Sequence, residues 1–161
     1  MVRAKAVMHP IALVATKEGD SYRFEPESDL WDAAGEEFHF HKDHHGMRSQ
    51  DYHLLEFDLD DRSGDGLRFP AVPHDAMWVA EGADLASRQC PDMHTVNDYS
   101  VMEPICVTAD GRRLIVRNDN PREENWAFTL NFVKEGDDEK DPSGFVSWDP
   151  GGTNHNGGSK N

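Results

Sequence analysis

Apolar residues along this chain recur mostly at every second position, the spacing of strands with one buried face. The segment 126–132 shows this best, with Trp126, Phe128, Leu130 and Phe132 on one side and expected in the core. In 52–59, Leu55, Phe57 and Leu59 share a face while Glu56 and Asp58 take the other. In 37–41, Phe38 and Phe40 alternate with Glu37, His39 and His41. Shorter stretches at 11–15, 21–25, 76–79, 104–108, 113–117 and 145–148 read as further strands, giving about nine or ten in all. The Asp- and Gly-rich turn at 60–66 predicts a hairpin over 52–69. Asp110-Gly111 predicts a second hairpin, joining 104–108 to 113–117. The rhythm breaks over 81–100, where 82–89 predicts one or two helical turns stopped at Cys90-Pro91. No longer helix and no internal repeat is expected.

Many short strands separated by turn signals predict an all-β fold. We expect an antiparallel β-sandwich of immunoglobulin-like type, with a cupredoxin-like Greek-key barrel as the alternative. The domain is expected over 1–150. The Gly- and Asn-rich residues 151–161 read as a C-terminal tail with little to bury. A chain of 161 residues with eight Phe and four Trp can build its core without disulfide staples.

Charge narrows the partners. Acidic residues number 31 against 16 basic, a formal net charge of −15. Such a surface repels phosphate backbones and anionic bilayers, so nucleic acid and membrane are not expected partners. It suits cations and cationic partners. The N-terminal apolar run is interrupted by His9-Pro10 and is too short for the central region of a secretion signal. No run reaches transmembrane length. The expected compartment is therefore the cytoplasm, with Cys90 and Cys106 as free thiols.

Histidine is the densest candidate chemistry. Five of the nine histidines, His39, His41, His44, His45 and His53, fall within fifteen residues. His39 and His41, two apart on a strand, share a face. His44, His45 or Asp43 just beyond the strand offers a third ligand and His53 on the next strand a fourth. Imidazole-rich ligation suits zinc, copper or nickel. The competing explanation is a polar outer strand face whose inward phenylalanines are the reason for the strand.

Other motifs are weaker. Asp61-Arg-Ser-Gly-Asp65-Gly66 begins like a calcium loop, but Val72 occupies the place of the closing Glu, and the turn explains the composition. Cys90, His94 and Met102 resemble part of a blue-copper ligand set. More than fifty residues follow Met102, whereas that set sits near the end of its domain, so a loop is the expected reading. No nucleophile elbow and no phosphate-cradling glycine loop is present. No catalytic residue is assigned.

The segments Leu114-Ile-Val-Arg-Asn-Asp-Asn120, Trp126–Phe132 and Trp148-Asp-Pro-Gly-Gly-Thr-Asn-His-Asn-Gly157 resemble small bacterial all-β proteins of uncharacterised function. Asp75-Ala-Met-Trp78 and Cys90-Pro91 are similar to segments of the same proteins. The resemblance spans about the last two thirds of the chain and implies a sandwich. It implies no activity. The expected function is a non-catalytic acidic binding or assembly module without a cofactor, homo-oligomeric through edge strands. The alternative is a protein that binds a divalent transition metal through the His-rich strand.

Overall fold

Alternation along each strand leaves an apolar face that only a second sheet can cover, and the chain builds two such sheets. The computed structural model describes residues 3–42, 46–81 and 91–155. Among these, the strands are β1 (Ala6–Glu18), β2 (Ser21–Glu27), β3 (Trp31–Asp32), β4 (Glu37–His41), β5 (Tyr52–Asp61), β6 (Met77–Glu81), β7 (Met102–Val107), β8 (Arg113–Asn118), β9 (Glu124–Phe132), β10 (Val146–Trp148) and β11 (Gly151–His155). Helix is confined, among these residues, to one turn at Pro73–Ala76 and a 3-10 turn at Pro142–Gly144. The fold is all-β. Among the described residues, no helix is long and apolar enough to cross a membrane.

The first sheet runs β2-β1-β5-β8-β7. The second runs β10-β9-β11-β4-β3, with β6 on the other edge of β9. Ile11, Leu13, Ala15, Leu55, Phe57, Leu114 and Val116 face inward from the first sheet, and all are fully buried. Phe38, Phe40 and the expected row Trp126, Phe128, Leu130 and Phe132 oppose them, equally buried. Rings meet across the gap, Phe38 edge-on to Phe57 at 6.0 Å and Phe24 stacked on Phe132 at 4.8 Å. Each such side chain contributes about 1.5–3 kcal/mol by leaving water.

Three local expectations give way to the tertiary structure. The sheets are mixed, not purely antiparallel: β1 pairs β5 in parallel, and β11 pairs β4 in parallel. The cause is connectivity. After the β1–β2 hairpin the chain crosses to the other sheet for β3 and β4, and β5 returns alongside β1 in the same direction. The 52–69 hairpin does not form. Both edges of β5 are taken, by β1 and by β8, while Arg68 pairs with Val133. Asp61 bends the chain away by accepting the N–H of Ser63 and Leu67. The hairpin at 110–111 does form, as β7–β8.

The third difference lies in the expected tail. Its first five residues are β11, a strand paired on both sides, by β9 and by β4. Glycine is there for packing. A Cβ on Gly152 would stand 3.2 Å from the Phe40 ring and 3.4 Å from that of Phe128. The expected helical turns at 82–89 lie outside the described residues.

Candidate metal centre

On β4 the inward positions belong to Phe38 and Phe40, so His39 and His41 stand on the outer face. The parallel register sets Thr153 beside His39 and His155 beside His41. Three imidazoles thereby form a column. The His41 and His155 rings are stacked 4.2 Å apart at 6°. His39 lies 5.2 Å from His155 and 6.2 Å from His41. One potential ligand atom from each of the three lies within 4.8 Å of the other two.

The orientation of the ring nitrogens is specific. His39 Nδ1 and His155 Nε2 face one another at 3.0 Å. The opposite nitrogens face carboxylates: His39 Nε2 is 3.0 Å from Glu37 Oε1 and 3.4 Å from Asp32 Oδ2, and His155 Nδ1 is 3.2 Å from Glu123 Oε1. Metal-bound histidines use the same arrangement, one nitrogen on the ion and the other donating to a carboxylate that fixes tautomer and ring. Two nitrogens on one tetrahedral zinc stand about 3.3 Å apart, so His39 and His155 need to open by only a few tenths of an ångström. Three protein ligands leave a coordination position for water. The Gly35 N–H holds the Asp32 carboxyl below the ordinary carboxylate range; partial burial opposes this, and His39 and the Ala34 N–H add to the lowering. Asp32 is therefore anionic near neutral pH.

Of the five sequence-predicted histidine ligands, the structure brings His39 and His41 together. Asp43, His44 and His45 lie outside the described residues. His53 sits on the inner face of β5, fully buried with Leu55 and Phe57, and is absent from the ligand groups around His39. Its Nδ1 lies 2.8 Å from His9 Nε2, and its Nε2 lies 3.1 Å from Asn120 Nδ2. The Asn120 amide also faces the carbonyls of Phe40 and His155, each at 3.1 Å, which fixes its nitrogen as the donor. His53 Nε2 then accepts, and its Nδ1–H donates to His9. Beside this pair Asn118 and Asn154 exchange amide bonds at 2.7 and 3.0 Å, joining the two sheets.

The placement of His53 was legible in its parity. It shares the odd positions of Leu55, Phe57 and Leu59, whereas His39 and His41 oppose Phe38 and Phe40. His155 was missed because Gly151-Gly-Thr-Asn154 has a loop-like composition. Nothing local signals that β11 lies beside β4.

The remaining candidates are engaged elsewhere. Asp61 is held by Ser63 and Leu67, and Asp65 accepts from Lys17 and Tyr22. The Asp61 and Asp65 carboxylates are thus engaged by donors of the loop and of β1 and β2. Met102 is buried in the core, His94 is exposed, and Cys90 lies outside the described residues. Cys106 is a free, exposed thiol. No protein-family model matches the chain, and no curated protein matches it. The functional reading therefore rests on the geometry.

Proposed function

We propose that this protein binds a divalent transition metal, with His39, His41 and His155 as ligands on the outer face of the β4–β11 pair. The observation that carries this reading is the facing nitrogens of His39 and His155, a carboxylate behind each, with a His41 ligand atom within 4.8 Å of both. Imidazole ligands suit zinc, copper or nickel. The formal charge of −15 raises the local concentration of cations.

Assembly through edge strands has less support. Edge strand β7 carries Pro104 and a register irregularity between Pro104 and Cys106. Edge strand β2 carries Pro26 among Arg23, Glu25 and Glu27. Proline, bulges and charge all blunt edge pairing.

The test is metal analysis of tag-free protein, paired with thermal unfolding in added zinc or copper. Stoichiometric metal and a raised Tm that vanishes in His39→Ala/His41→Ala are expected. A Tm that responds identically in wild type and variant would reject the site.

A further inference from the structure

A neutral imidazole carries one N–H, yet His39 presents both nitrogens to ligand-type atoms. Its Nδ1 faces His155 Nε2, while its Nε2 faces Glu37 Oε1 and Asp32 Oδ2. These are two separate groups of three, His39 with His41 and His155, and His39 with Asp32 and Glu37. A single proton can serve one carboxylate. The second, brought in from β3, places another negative charge beside His39 Nε2, which a cation between them would offset. His155 differs, since its outer nitrogen faces the Glu123 carboxylate.

The Asp32 carboxylate is aimed and given room. Its Oδ1 accepts the N–H of Ala34 and Gly35, which leaves Oδ2 turned to His39. A Cβ on Gly35 would lie 3.1 Å from Asp32 Oδ2 and 3.4 Å from Glu37 Cγ, so a side chain there would press on the space between the carboxylates. Distances of 3.0 and 3.4 Å from the carboxylate oxygens to His39 Nε2 bracket the roughly 3.3 Å between neighbouring ligand atoms on a tetrahedral zinc.

We propose that His39 bridges two divalent metal ions, one on Nδ1 with His41 and His155, the other on Nε2 with Asp32 and Glu37. This rests on the metal-binding reading above. On bridging, the His39 N–H bond breaks and its proton passes to water. The ring, now an imidazolate, forms one bond to each ion. No electron changes hands, and the imidazolate with two carboxylates offsets most of the added charge.

Copper(II) and electron paramagnetic resonance of frozen tag-free full-length protein test the bridge. The first equivalent should give an ordinary mononuclear signal. The second should make that signal fall, because two unpaired electrons joined through one imidazolate couple antiferromagnetically. Asp32→Asn/Glu37→Gln should keep the one-equivalent signal and lose the fall. A wild-type signal that doubles at two equivalents overturns the bridge, as does the same fall in the double variant. A separate arm isolates the parent reading: a one-equivalent signal unchanged in His41→Ala/His155→Ala would overturn the three-histidine site itself.

Discussion

Two groups of histidines, one on the inner face of the first sheet and one on the outer face of the second, are held in opposite ways. His9 and His53 project into the core, where the ring nitrogens of His53 face His9 and Asn120. His39, His41 and His155 stand partly exposed, His39 and His155 nitrogen to nitrogen with carboxylates behind them. The buried pair is satisfied by the protein. The surface column brings His39 Nδ1 within 3.0 Å of His155 Nε2 on the outer face of the sheet. Strand parity and neighbours therefore separate a structural histidine from a candidate ligand.

The largest test of that contrast is stability without metal. His53→Ala removes a fully buried ring and strips a partner from His9 and Asn120, and should cost about 3 kcal/mol by urea unfolding. His41→Ala on the outer face should stay within about 0.5 kcal/mol in the same buffer. Equal costs would erase the distinction.

Metal should reverse the ranking. Zinc at a hundredfold excess over its Kd should stabilise the wild type by about 2.7 kcal/mol. Calorimetry should find that gain in His94→Ala, which touches neither histidine group, and find none in His39→Ala/His41→Ala. A gain surviving in the latter would place the ion elsewhere.

Smaller again is the amide pair beside the buried histidines. Asn154→Ala leaves the buried Asn118 amide without its reciprocal partner and should cost about 2 kcal/mol in urea midpoint analysis. A cost near zero would show that the sheets do not depend on this bond.

The smallest effect concerns the ends of the strands that carry the buried pair. Asp51 accepts the N–H of Arg48 and of Lys5, which hold its carboxyl below the ordinary 3.8. A depressed native value contributes stability that is complete above the ordinary value and lost as pH falls through and below it. Unfolding midpoints followed from neutral into acid should therefore drop less steeply in Asp51→Asn than in wild type. Parallel curves would assign the acid sensitivity to other groups.

Much of the core could be anticipated residue by residue. Trp126, Phe128, Leu130 and Phe132 were grouped by spacing alone and are all fully buried. Phe38 and Phe40 were placed inward for the same reason, which left His39 and His41 outward together. The site was legible only to that extent. His155 was hidden because glycine and asparagine favour loops locally, whereas Gly152 is needed so that two phenylalanine rings can close over the strand. Asp32 and Glu37 carried no signal, since alternating acidic residues are ordinary on a solvated face.

The sequence by itself determined which side chains point inward along each strand, because side-chain alternation is a property of the local backbone. It also determined an all-β class and a formal net charge of −15. The tertiary structure decided the strand neighbours. β11 lies beside β4, 116 residues from His39 to His155, and the parallel register stacks their imidazoles. Such pairing depends on long-range loop closure and on which edges other strands have already filled, and neither is written in the period of the chain.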